Sequence, residues 1–314
     1  MIVFGPVPSR RFGRSMGINN ISPKICTYSC IYCQIGHTPH MEVERKEFYP
    51  SEKIYEEVMK KLAILERKGE EVDFLTFVPD GEPTLDANLG KEIELLKQTG
   101  IKIAVITNSS LLWREDVRNE VAEADAVSIK IDAVNGGTWK KMNRPHPLLK
   151  LSSILEGIKK FADIYEGMLI TETMMVKGVN DGMEEMERIA DFIASISPFK
   201  AYVAIPTRPP AEPWVMPPDE HVINEIYQIF TERMEKVEYL IGYEGNEFAF
   251  TGNVEEDLLS IMAVHPMRED AVKEFLKKAD AEWSVVEELM KKGEVIETFY
   301  MGRKFYMRRI GKGE

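Results

Sequence analysis

Apolar and polar positions along this chain fall into two alternating rhythms. Short runs rich in β-branched residues, "DFLTFV" (73–78), "IKIAVIT" (101–107), "AVSIKI" (126–131), "MLITETMMV" (168–176) and "AYVAI" (201–205), predict strands, and "MGINNI" predicts a first strand earlier in the chain. Between them lie long amphipathic stretches. "PSEKIYEEVMKKLAILERKG" places Ile54, Val58, Leu62 and Leu65 on one helical face, with Ser51 as the expected N-cap and Gly69 as the stop. "LLKLSSILEGIKKFADIY" and "PDEHVINEIYQIFTERMEK" repeat that pattern. Six successive strand–helix units imply parallel pairing through right-handed crossovers, hence a barrel or a doubly wound sheet.

In such folds the loops after the carboxyl ends of the strands build the site. Each unusual segment falls there: a cysteine cluster, "PDGEPTL", "NSSL", "DAVNGGTW", "KGVND" and "PTRPPAEPW". The pattern changes after about residue 245. The remainder reads helix, helix, helix and then a hairpin turning at Met301-Gly302, the order of a winged helix. The expected division is 1–245 and 246–314.

Composition adds exclusions. With 44% hydrophobic and 29% charged residues, and no apolar run long enough to span a bilayer, the chain reads as globular rather than membrane-embedded. The amino terminus lacks the apolar core of a secretory signal, so the expected location is the cytoplasm. A net charge of −12 argues against indiscriminate nucleic-acid binding. Its distribution is uneven: residues 1–41 hold Arg10, Arg11, Arg14 and Lys24 and no acid, and residues 291–314 hold seven basic residues against three Glu. Two basic patches on an acidic body suit an anionic substrate.

All three cysteines lie in "KICTYSCIYCQIG": Cys26, Cys30 and Cys33. An odd, clustered set does not make a disulfide framework, and in a reducing compartment such thiols are available to metal. Zinc would need His37 or His40 to complete four ligands. A four-iron cubane held by three thiolates would keep one iron open, an arrangement for chemistry rather than electron storage.

Cys26-x3-Cys30-x2-Cys33, with Tyr32 before the last cysteine, resembles the signature of the radical S-adenosylmethionine (SAM) superfamily. The motif order "DGEPTL", "TNSSL", "KIDA", "NRPHP", "PTRPP" is similar to that of the small iron–sulfur oxidoreductases related to wybutosine-synthesis enzymes. The resemblance implies a partial (β/α)6 barrel and one [4Fe-4S] cluster on the three cysteines. It implies reductive cleavage of SAM to a 5'-deoxyadenosyl radical that abstracts hydrogen. SAM contacts are then expected from Gly81, Glu82 and Pro83, with Glu82 meeting the ammonium and Asp80 departing from the family's glycine. Others are expected from Asn108 and Ser109, from Ser128, Lys130 and Asp132 sharing one strand face, from Arg144, and from the backbone of Tyr32 and of Val179 in "VKGVND". Arg208 and Trp214 are the expected substrate contacts.

The implied reductant is a flavodoxin or ferredoxin. With no further cysteine, a thiolate-held auxiliary cluster is not expected. The expected substrate is a nucleoside in RNA (tRNA), the hairpin offering Arg303, Lys304, Arg308 and Arg309 among aromatics. The alternatives are a protein or peptide substrate, or an iron–sulfur redox-sensing regulator without catalysis.

Overall fold

The computed structural model describes residues 2–241 and 248–309, so the expected boundary at 245–246 lies outside the described residues. The chain opens with a hairpin, β1 (Val3–Ser9) and β2 (Gly13–Ile18). Two-residue strands β3 (Ile25–Cys26) and β4 (His40–Met41) pair across the cysteine loop. Helices and strands then alternate: α1 (Ser51–Arg67), β5 (Phe74–Phe77), α2 (Leu89–Lys97), β6 (Lys102–Thr107), α3 (Glu115–Val121) and β7 (Ala126–Lys130). They continue with α4 (Gly136–Asn143), α5 (Leu151–Ile164), β8 (Met168–Met174), α6 (Met183–Ser195), β9 (Lys200–Ala204), α7 (Glu220–Thr231) and β10 (Val237–Leu240).

The large sheet runs β1-β2-β5-β6-β7-β8-β9-β10, parallel from β2 onward. Strand order never reverses, which rules out a doubly wound sheet and leaves a curled half-barrel with helices outside. The terminal strand β10 and the antiparallel β1 go beyond the six expected strands. Two prolines in β1 obscure it in the sequence, but it is an edge strand with a register shift between Phe4 and Val7, where proline is tolerated. Ser51 does not cap α1. Pro50 occupies that place, and Ser51 is buried as the first helical residue.

Period-2 alternation separates two faces. Ile103, Val105, Val127, Ile129, Leu169 and Val203 join the layer beneath the helices. Opposite parity sends Ala104, Ala126, Ile170 and Tyr202 inward, where they form a floor with Phe12 from the β1–β2 turn. That turn also spans the open side of the barrel: Arg10 Nη1 donates to the Tyr239 carbonyl of β10 at 3.3 Å.

The carboxyl-terminal segment comprises α8 (Val254–Val264), β11 (Met267–Arg268), α9 (Glu269–Lys278), α10 (Ser284–Lys291), β12 (Val295–Tyr300) and β13 (Arg303–Arg308), with a sheet ordered β11-β13-β12. Its apolar cluster includes Leu258, Ile261, Phe275, Val286 and Leu289, and Val7 of β1 packs against it. The hairpin turns where expected, with positive φ at both Met301 (49°) and Gly302 (72°).

Candidate active site

The cysteine loop is fixed at both ends. Lys24 Nζ donates to the carbonyls of Ile35 and Gly36 at 2.6 and 2.8 Å, closing the loop on itself. Its start rests on the turn after β5: Glu82 N donates to Ile25 O at 3.1 Å, and Lys24 N to Asp80 O at 2.8 Å. A Cβ on Gly81 would stand 1.8 Å from Ile25 O, so glycine is required for the loop to approach. Asp80 exchanges hydrogen bonds with Asn19 at the end of β2, which accounts for a side chain where the family has glycine. On the far side, Ile31 N donates to Met142 O and Ser29 N to Asn143 O, docking the loop against the end of α4.

The three thiols are free and partly buried. Burial pushes the Cys30 thiol up to about 12, with Asp132 and Cys33 adding to the effect. Burial, then Glu82 and Cys30, raise the Cys26 thiol too. Thiols that oppose one another's ionisation in a buried place fit a multivalent cation, whose binding releases the protons. Two amides face the sulfurs: Asn108 Nδ2 to Cys26 Sγ at 3.4 Å, and Asn143 Nδ2 to Cys30 Sγ at 3.6 Å. Among the described residues, no three Cys, His, Asp or Glu side chains converge on a single ion, and His37 instead faces Glu212 at 3.9 Å. A cubane gives each thiolate its own iron, so its ligands need not converge on one ion.

Glu82 is buried. Its Oε1 accepts from Thr84 Oγ1 and Thr107 Oγ1 at 2.6 Å each and from Thr84 N, while Oε2 accepts only from Asn108 N at 2.7 Å. Burial raises its carboxyl, opposed by those donors. Pro83 starts the following short 3-10 turn. Ser109, at φ 68°, ties its hydroxyl to Lys130 O rather than facing a ligand.

The expected shared face of β7 is partly realised. Ser128 and Lys130 point into the barrel, whereas Asp132, past the strand end, accepts from Tyr32 OH, from Asn143 Nδ2 at 2.8 Å and from Met174 N at 2.9 Å. Asp132 therefore holds the cysteine loop. Val179 packs with Tyr32 beside Ile31, Met142 and Val176. Arg144 turns outward to pair with Glu212, and its neighbour Asn143 is the residue that meets the thiols.

Beside Cys33 opens a cavity of about 310 Å³, reached by Tyr32, Lys130, Glu172, Arg11 and Arg208. Glu172, like Asn143, is a residue that sequence reading missed. It receives Lys130 Nζ at 2.7 Å and the Arg11 guanidinium. Burial would raise its carboxyl, but Lys130 and Arg11 outweigh that and hold it at about 2. Burial alone would lower Lys130; Glu172 and Asp132 raise it instead. Arg208 reaches His265, the residue after α8, at 2.8 Å, and both line the cavity. Trp214 is half-exposed and stands outside the cavity lining.

The family model "Radical SAM superfamily" matches residues 20–193. A UPF0026 protein of Methanocaldococcus jannaschii is 47% identical over 311 residues, 98% of this chain and 96% of its own. One of Helicobacter pylori is 35% identical over 66% of this chain and 67% of its own. Among solved structures, TYW1 with a lysine-pyruvate adduct bound superposes with a TM-score of 0.54 over 71% of this chain and 76% of that one, at 18% identity. Strand order, cysteine loop and matched family model agree: the chain belongs to the radical SAM superfamily, whose enzymes use a [4Fe-4S] cluster and SAM.

Proposed function

We propose that Cys26, Cys30 and Cys33 ligate the cluster and that the adjoining cavity takes SAM and the group it attacks. The observation that carries this reading is three free thiols in one loop, Cys26 and Cys30 facing amide donors and Cys33 lining the adjoining cavity. When bound, cluster and SAM supply one-electron cleavage of SAM and hydrogen abstraction from substrate. A reductant is needed, a flavodoxin or ferredoxin in this reading.

The chain's own part is positioning. Asn108 and Asn143 donate to the sulfurs, and Asp132 fixes Tyr32 at the cavity wall. Glu82 keeps one lightly used oxygen, Oε2, for a cofactor ammonium. The floor of Phe12, Ala104, Ala126, Ile170 and Tyr202 excludes water from below.

We take the substrate to be a nucleoside in RNA and residues 246–314 to be an appended winged-helix-like unit that helps to bind it. Supporting this, Phe299 is 67% exposed on the hairpin with Lys304 Nζ 5.7 Å from its ring centroid. Tyr300, Phe305 and Tyr306 are buried, so their rings are not offered to a nucleobase. Replacing any one of the three cysteines with Ala should abolish SAM cleavage and lower bound iron in protein reconstituted without oxygen; retained turnover rejects the ligand set. Comparing modified nucleosides in RNA from wild-type and deletion strains tests the substrate, and identical profiles reject RNA.

A further inference from the structure

Arg11 is carried by the β1–β2 turn, outside the strand–helix units, yet its side chain is only 15% exposed. It enters the barrel between β7 and β8. There one nitrogen, Nη1, does all its side-chain hydrogen bonding, to Ser128 Oγ at 3.3 Å and to Glu172. Nε is buried with no hydrogen-bond partner. A guanidinium has five donors arranged to grip a carboxylate or phosphate in two places at once, and leaving a buried one unmet costs about 1–3 kcal/mol.

The rest of the lining points the same way. The described ionisable side chains lining the cavity are Arg11, Lys130, Arg208, Glu172, Tyr32 and Cys33, together with His265, which burial and then Arg208 keep neutral. Hydroxyls of Ser9 and Thr207 line it too, whereas those of Ser15 and Thr76 bond each other at 2.7 Å. Glu172 offsets one of the cavity's positive charges, and an anionic oxygen on the substrate would give the Arg11 guanidinium the second acceptor that Glu172 alone does not supply.

We propose that Arg11 is a substrate-binding residue that holds a carboxylate or phosphate group of the substrate inside the barrel, with Glu172 as its resident counter-ion in the resting protein. This rests on the cavity being the substrate site, as proposed above, but not on the identity of the cluster ligands. It predicts that Glu172 and an incoming anion compete for the same guanidinium.

The test uses full-length protein reconstituted without oxygen, in saturating SAM and at constant ionic strength set with chloride. Thermal stability is followed as inorganic phosphate or acetate replaces chloride. One of the two should raise Tm saturably, phosphate indicating a phosphate ester and acetate a carboxylic acid. Glu172→Gln should tighten that dissociation constant by roughly tenfold through loss of the competitor, a gain that a purely structural Arg11–Glu172 pair would not give. Arg11→Gln should remove the response, and Arg11→Lys, which keeps the charge beside Glu172 and guards against misfolding, should retain a weakened one. No saturable effect of either anion in wild-type protein, an affinity unchanged in Glu172→Gln, or binding abolished by SAM would overturn the proposal. SAM cleavage on the same samples reports separately on the cluster, so failure of one reading is not failure of the other.

Discussion

Gly81 is where one missing carbon decides the site. Its Cβ position is filled by the carbonyl of Ile25, the residue before the first cysteine, so Gly81→Ala must push the loop away. Overpacking of that kind costs about 1–3 kcal/mol, and here the strain falls on the thiols. The variant should melt lower and bind less iron; wild-type iron content would show that the loop seats itself elsewhere. The two amides act more gently. Asn108→Ala and Asn143→Ala each remove an N–H facing sulfur, and such donors stabilise the more negative, reduced cluster. Redox titration should give a more negative potential with iron content unchanged, and an unmoved potential would reduce both amides to loop anchors. The cysteines, Tyr32 and Asn108 were legible because motif spacing marks them. Asn143 and Glu172 were not, since each looks like an ordinary strand or loop polar until the barrel curls. Glu172 alternates with Thr171 and Thr173, which lie on the parity of the helix-facing Leu169, so it is Glu172 that turns inward.

At the scale of elements, strand–helix alternation was readable because each inner strand carries a β-branched run and each helix a clear apolar stripe. The helix start at Pro50 and the proline-bearing edge strand escaped because proline hides both. A less visible device joins α2 to the turn before it. Glu92 is buried beside Asp86, and burial, then the neighbouring Asp86 charge, push its carboxyl up to about 9. The native state thus keeps a proton that the unfolded chain gives up near 4.5, so this stability is complete below about 4.5 and is lost as pH rises through about 9. Glu92→Gln, which donates to Asp86 without a titrating proton, should stabilise the chain by about 1–3 kcal/mol at pH 8 and flatten the alkaline limb of its denaturation profile. An unchanged limb would place the proton elsewhere.

Across the whole molecule, the half-barrel is finished by pieces that the repeat does not contain. The β1–β2 turn reaches β10 through Arg10 and lays Phe12 on the floor. The carboxyl-terminal segment brings His265 to Arg208, packs α8 on β1, and sends Tyr300 OH to the carbonyls of Pro206 and Val215 at 3.3 and 3.4 Å. Local pattern could show that a further segment exists but not that it walls the cavity, because those contacts join residues far apart in the chain. Removing residues 246–314 should lower Tm by roughly 5 °C or more, whereas an equally stable truncated chain would make the segment a passenger.

In the proposed function, three sulfurs hold a cluster whose remaining iron is left for SAM. Protein reconstituted without oxygen and reduced with dithionite can be examined by electron paramagnetic resonance before and after SAM is added, with 5'-deoxyadenosine measured in the same tube. About four irons per chain are expected, with a spectrum that changes on adding SAM and formation of the nucleoside. Tightly held zinc, or a cluster whose spectrum ignores SAM and yields no 5'-deoxyadenosine, would contradict the proposed function.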